Sequence, residues 1–415
     1  MPVVVSMTCA AQAQAQARRH RHPTAPGSSA RRFSGSRPLT STWKCSSSSS
    51  KNTPSSSRSN FGLLDWAGST FIPQGPIVSS TKFAWNTMWK TLMSELAPQD
   101  QSGAYTRPPA AYTSVVGVTP SFPASSSYTL YIGNACPWCH RVAIAAALRG
   151  VPAESLRIVK LVDDAERASR GGWIVESGRD PLFGAKDLRE IYDSAAGGQY
   201  FGRCTAPLLV SDAQKVVVAN DSAEIVRSID ALPGDDVTLR PAALAAEVDK
   251  WVERITSEVN NGVYRAGFAT SQTAHDAAAL PLYRLLDELD QHLETRRFLC
   301  GGSVTEADVV LLPTICRFDD VYSVLFKCSG RRIADLPNLS GWLADMMRLS
   351  VIADTYDAAS ARSSYFGQLF PLNPSGIIPA GGRSTKELVA QWLSRSDPAK
   401  RERLAVGVSA LHTRD

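Results

Sequence analysis

A small α/β domain followed by an all-helical domain is the fold class predicted by the sequence, and three observations predict it. Between residues 127 and 232 the segments read strand, helix, strand, hairpin, helix, an order in which helices cover a sheet. From Arg240 onward the apolar spacing changes to the helical period. The chain has 415 residues with 44% apolar and 20% charged side chains, enough to bury a core in more than one domain. That composition excludes collagen, a fully disordered chain and a small disulfide scaffold.

The first 60 residues stand apart. They are rich in Ser, Ala, Arg and Gln, contain the low-complexity runs 10–17 and 46–50, and have no acidic residue before Asp65. Such a segment cannot pack a core. An Arg-rich, Ser-rich, acid-free leader has the composition of an organellar transit peptide, here expected to direct a plastid location, with a mitochondrion as the alternative. No basic segment precedes the short apolar start and no apolar core follows it, which argues against a secretory signal. No later run approaches the roughly 18 apolar residues of a membrane span. The formal charge of +5 belongs to this leader: nine Lys and Arg precede Asp65, leaving 35 basic against 39 acidic side chains, a net −4. Binding of nucleic acid by general electrostatics therefore loses its main support.

Residues 61–122 are punctuated by Pro, Gly and Ser and read as an extension packed on the main body, with one helix at 82–96 carrying Phe83, Trp85, Met88, Trp89 and Leu92. The domain at 123–235 opens with a strand at 127–133, where apolar and aromatic residues alternate. A helix at 137–149 follows, with Pro137 at its first position and Gly150 past its end. A strand at 157–162 leads into a long polar connection, then a hairpin at 207–210 and 215–219 and a closing helix at 222–232. In the helical domain at 236–354, Leu244, Val248, Trp251, Val252, Ile255 and Val259 form one stripe and Leu282, Leu285, Leu286, Leu289 and Leu293 another. Thr305 and Asp308 make a capping box with Asp in place of Glu, and Pro313 should kink the helix that follows. The segment 355–415 holds Tyr365-Phe366 and a further helix at 386–393.

Eight cysteines are present, and only Cys136 and Cys139 are closely spaced. Cys204, Cys300, Cys316 and Cys328 are scattered, which speaks against a secreted disulfide framework and for a reducing compartment. The motif Cys136-Pro137-Trp138-Cys139 ends a strand and opens a helix, so the first sulfur meets unpaired backbone donors and the positive end of the helix dipole, which favour thiolate. The second sulfur lies one turn inside, where it can resolve a mixed disulfide. A zinc site would need a second ligand pair, and none is evident, so no metal is expected. His140 more naturally serves the helix than acts as a base.

The strand-Cys-Pro-Trp-Cys-helix unit, Ala206-Pro207 before a strand and Asn220-Asp221-Ser222 opening a helix resemble the thioredoxin-like domain of a glutathione transferase, and the helical half with its Thr305 to Asp308 cap resembles that superfamily's all-α C-terminal domain. Further motifs, among them Gly172-Trp173, Asp180-Pro181-Leu182-Phe183-Gly184, Tyr200-Phe201-Gly202-Arg203, Asn260-Asn261-Gly262-Val263-Tyr264, Arg317-Phe318-Asp319, Val321-Tyr322 and Asn373-Pro374-Ser375-Gly376, resemble the glutathionyl-hydroquinone reductases of the xi class over residues 125–380. Two positions depart from that pattern: xi members typically carry Ala where this chain has Cys139, and a His is common where it has Leu325. The dithiol motif and the N-terminal extension look more like the iota class of photosynthetic organisms.

The resemblance implies an enzyme that uses glutathione as co-substrate and no metal. Cys136 would attack the sulfur of a glutathionylated quinol or a mixed disulfide, with dehydroascorbate as a further substrate, and hold the glutathionyl group until a second glutathione or Cys139 removes it. It implies that Asp221 and Ser222 meet the γ-glutamyl head group, though both also suit ordinary helix capping. It implies a cis peptide at Ala206-Pro207, whose main chain pairs with the cysteinyl backbone, and Trp173 as a wall of the site or a core side chain. Tyr264 and Tyr322 are the candidates for the quinone-type second substrate, as phenols that donate to an oxygen gaining negative charge. The superfamily resemblance also implies a homodimer. Two alternatives stay open: a dithiol exchanger that uses Cys136 and Cys139 without glutathione, and a non-catalytic ligand carrier.

Overall fold

The computed structural model describes residues 74–407 and 409–411. The leader at 1–60, with Cys9 and Cys45, lies outside the described residues. Helix α1 (Gln74–Leu96) starts eight residues before the position predicted for it. Its C-terminal half packs: Met93 is buried, and Trp89 Nε1 donates to the Pro371 carbonyl at 2.9 Å. Its first half is open to solvent: Phe83 and Trp85 are 74% and 56% exposed. The rest of the extension is tied to the body by Gln99 Nε2 donating to the Phe268 carbonyl, Tyr112 N to Asn220 Oδ1 and Val116 N to Ser228 Oγ.

The α/β domain is built on a five-stranded sheet of order β3-β2-β1-β4-β5, from β1 (Tyr128–Gly133), β2 (Leu156–Asp163), β3 (Trp173–Val175), β4 (Leu208–Ser211) and β5 (Val217–Ala219). Only β1 and β2 run parallel, Tyr128 facing Leu156, and they are joined by the crossover helix α2 (Pro137–Leu148). The period of two along β1 sends Tyr128 and Leu130 into the core beneath α2 and Tyr131 into a second cluster on the opposite face. That second face is covered by α3 (Leu188–Ala195). Helix α4 (Ser222–Ala231) closes the unit beside α2.

Two elements replace the expected polar connection between β2 and β4. Strand β3 has three residues, too few for alternation to show, and joins the sheet through Val162 opposite Ile174. Helix α3 had a readable signal: Asp187 caps it by accepting from Glu190 N, and Leu188, Ile191, Tyr192 and Ala195 recur at helical spacing on its buried face.

In the helical domain α5 (Ala245–Arg254), a π-turn at Ile255–Asn260 and α6 (Asn261–Gly267) run continuously, and α7 (Gln272–His292) packs against α6. Helix α8 (Glu306–Arg317) is buried along its whole length and packs against both α2 and α5. It runs unbroken through Pro313; the irregularity comes after it, in a π-turn at Phe318–Tyr322, because tight packing on every side holds the helix across the missing donor. Then come α9 (Pro337–Arg348), α10 (Ala358–Gln368), α11 (Thr385–Arg395) and α12 (Pro398–Ala405), of which α11 alone was placed by the sequence reading.

The start of α8 is fixed by one carboxylate. Buried Asp308 accepts from Thr305 N and Oγ1 through Oδ2, and from Leu299 N and Trp342 Nε1 through Oδ1, at 2.8 to 3.0 Å. Removing it strands several buried donors at once. Asp308→Ala should therefore cost about 3–5 kcal/mol, measured as a lowered denaturant midpoint with an unchanged slope.

Candidate active site

Strand β1 delivers the chain to the site and α2 carries it away. Gly133 ends the strand, and a Cβ there would come within 2.4 Å of the Trp173 ring, so glycine lets Trp173 lie directly against the backbone that leads to Cys136. Cys136 is the N-cap of α2 in extended conformation, and Pro137 occupies the first helical position, where no amide hydrogen is needed. The Cys136 thiol is half-buried and lies 3.8 Å from the carbonyl of Ala206, whose peptide bond to Pro207 is cis.

The two sulfurs differ. The Cys136 thiol falls to about 7, chiefly through a hydrogen bond from Cys139, against burial and with help from the amides of Cys139 and Trp138 and from Arg317. Cys139 is buried, accepts from Gly133 N at 3.2 Å, and is held well above the ordinary thiol range by burial and by its bond to Cys136. It acts on Cys136 as a donor. Burial raises the other described cysteines, Cys204, Cys300, Cys316 and Cys328, to between about 11 and about 12.

At the glutathione side proposed by resemblance, Asp221 caps α4 by accepting from Ala223 N at 2.8 Å. Ser222 is buried and receives Arg141 Nη1 at 3.4 Å. Arg141, which sequence reasoning passed over, is buried, has no carboxylate partner among the described residues, and its Nε has no hydrogen bond. Burial lowers it to about 10, with repulsion from Arg107 adding to the effect. Arg107, on the exposed stretch between α1 and β1, places its guanidinium 3.8 Å from the Trp138 ring centroid, and Arg141 lies 4.6 Å from the same centroid.

Across from the thiol, Tyr264 and Tyr322 are joined by a third phenol. Tyr365 on α10 shares hydrogen bonds with the Tyr264 hydroxyl at 2.5 Å and the Tyr322 hydroxyl at 2.9 Å. Tyr264 is half-buried and its ring lies 6.1 Å from Trp138; Tyr322 is fully buried behind it, so its hydroxyl acts through Tyr365. Burial pushes Tyr322 up to about 12 and holds Tyr264 and Tyr365 well above the ordinary phenol range, so all three are neutral donors. Nothing in the spacing of Tyr365 marked it, since it lies a hundred residues from Tyr264 in the chain.

With thiolate the reactive species, peptide-resolved alkylation of Cys136 should be slow below pH 7, rise through about pH 7 and level off above it. Cys139→Ala removes the leading cause and should move that midpoint up toward the free-thiol value of about 8.5; an unmoved midpoint would take Cys139 out of this role.

Comparison with known proteins places the chain in a family. Residues 135–232 match the family model of the glutathione S-transferase N-terminal domain, and residues 272–345 that of the C-terminal domain. The glutathionyl-hydroquinone reductase PcpF of Sphingobium chlorophenolicum is 40% identical over 265 residues, covering 61% of this chain and 82% of that protein. Among solved structures, the xi glutathione transferase of Phanerochaete chrysosporium superposes with a TM-score of 0.63 at 32% identity, covering 69% of this chain and 95% of that one. The glutathione-bound YqjG of Escherichia coli K-12 gives 0.60 at 34%, covering 68% and 95%. The chain belongs to the glutathione transferase superfamily and, within it, to the family of xi-class glutathionyl-hydroquinone reductases.

Proposed function

We propose that this protein is a glutathione-dependent reductase that moves glutathionyl groups through Cys136, with glutathionyl-hydroquinones as its substrates. The observation that carries this reading is the pairing of a half-buried, acidified thiol at a helix N-terminus with a cluster of neutral phenols next to Trp138. The Cys136 thiolate attacks the glutathionyl sulfur, forming the Cys136 to glutathione disulfide. The bond from that sulfur to the ring carbon breaks, the carbon takes up a proton, and the quinol leaves. Sulfur is oxidised and carbon reduced, so the step balances without another cofactor. A hydroxyl of the phenol cluster donates to the quinol oxygen as it gains negative charge. A second glutathione thiolate then attacks the bound glutathionyl sulfur, releasing oxidised glutathione and restoring Cys136.

The burial and raised thiol of Cys139 favour this second glutathione over Cys139 as the resolving group, because a thiol held protonated is a poor nucleophile. Asp221 and Ser222, backed by the cation of Arg141, suit the γ-glutamyl amine and carboxylate, and the Ala206 main chain suits the cysteinyl backbone. Trp173 would wall the same site from the Gly133 side.

Steady-state turnover of a synthetic glutathionyl-hydroquinone with glutathione tests the reading. Cys136→Ser should fall by at least about 10³-fold, Tyr365→Phe should lower kcat about 10- to 100-fold with little change in KM, and Cys139→Ser should keep turnover within about tenfold. Glutathione-independent turnover coupled to thioredoxin reductase would replace this reading with dithiol exchange. The leader's composition supports a plastid location; a fluorescent protein fused behind residues 1–60 should then co-localise with chlorophyll rather than with a mitochondrial dye.

A further inference from the structure

Arg317, the last residue of α8, is 1% exposed and has no carboxylate partner among the described residues. Its Nη1 donates to the Pro313 carbonyl at 2.9 Å, to His140 Nδ1 at 3.0 Å and toward Cys316 Sγ at 3.5 Å. Its guanidinium carbon lies 4.8 Å from the Tyr356 ring centroid, and its Nε has no hydrogen bond. All of these partners are neutral. A buried cation without an anion costs several kcal/mol, so a fold that keeps one has a use for its charge.

The nearby acids do not supply the anion. Asp320 pairs with Arg362 at 3.8 Å, and Asp319 is taken up by the amides of Ile333 and Ala334. Burial keeps Cys316, Tyr322, Tyr356 and Tyr365 protonated. What remains lies on the far side of His140. Because His140 Nδ1 accepts from Arg317, the ring proton sits on Nε2 and is donated to Thr355 Oγ1 at 2.9 Å, whose hydroxyl donates to the Ile352 carbonyl at 2.6 Å. The ring also stacks on Tyr356, with centroids 5.5 Å apart. Burial, seconded by Arg317, holds His140 well below its ordinary value, so it is a rigid neutral spacer. Its backbone N–H donates to the Cys136 carbonyl at 2.9 Å, one helical turn back. The groups around Cys136 are then Cys139 and Arg141 on its own helix, Tyr264 on α6 and Arg317 on α8.

We propose that Arg317 is a positioning residue for the proposed reaction: a buried counter-charge to the Cys136 thiolate, fixed under the first turn of α2 by the His140–Thr355 spacer. The inference rests on the reading of Cys136 as the reacting thiol. It assigns the Arg-Phe-Asp motif a purpose in the chemistry, since the same cation also faces Tyr322 and Tyr365 and eases negative charge arriving at the phenol cluster.

The test is the pH profile of Cys136 alkylation by iodoacetamide in the full chain, read at peptide level for wild type, Arg317→Gln and Arg317→Lys. Arg317→Gln keeps a donor for His140 and loses the charge; it should be about three- to tenfold slower at pH 7 and converge with wild type near pH 10. Arg317→Lys keeps the charge and should stay within about twofold of wild type throughout. A Gln profile that superimposes on wild type overturns the proposal, and so does a Lys profile displaced as far as Gln. A purely structural arginine would lower the melting temperature of both without moving either midpoint. Iodoacetamide reports the thiolate without glutathione, so a chain that alkylates as expected yet turns over no glutathionyl-hydroquinone would overturn the proposed function and leave this inference standing.

Discussion

The first turn of α2 is the constraint on which the rest of the molecule depends. A helix start leaves several amides without partners, and here it must also leave one sulfur half open while the helix is packed around its remaining sides. β1 fixes where the turn begins, α4 and α8 grip the helix from two directions, and Gly133 admits Trp173 against the approaching backbone. Each of these contacts is ordinary packing. Their joint effect is that the Cys136 sulfur has one position, set by a core that spans both domains.

The charges near the site follow an unusual distribution. Arg141 and Arg317 are both buried and neither has a carboxylate partner among the described residues, while the acidic side chains of the helical domain are spent on structure: Asp308 at the start of α8, Glu306 with Arg227 and Arg240, Asp345 with Arg401. The region around the thiol is therefore poor in fixed negative charge and rich in positive charge and neutral donors. Such an environment favours groups that become anionic during a reaction, thiolate and quinolate alike.

Much of this was legible. The alternation in β1, the proline that opens α2 and the apolar stripes of α5 and α7 could be read directly, because each is a short-range pattern. Strand β3 was not legible, being too short to alternate, whereas α3 carried a cap at Asp187 and a helical stripe that could have been read. The site divides the same way. Cys136, Cys139, Asp221 and Ser222 announce themselves through motifs at helix starts. Tyr365 does not, because its role comes from meeting Tyr264 and Tyr322 across long stretches of chain. Arg317 stood inside a quoted motif and Arg141 just past another, and only the absence of a carboxylate partner among the described residues, a fact of the folded structure, sets them apart.

The middle member of the phenol cluster comes from α10, and a later segment holds the start of that helix: the Ala358 amide donates to Thr385 Oγ1 at 3.2 Å, and Thr385 Oγ1 donates to the Tyr356 carbonyl at 2.9 Å. Synthesis runs from the N-terminus, so α2 with Cys136 emerges before Tyr365, and the phenol cluster closes only once α10 has been made. The site is therefore complete only when the C-terminal part of the chain has folded onto the two domains that hold the thiol.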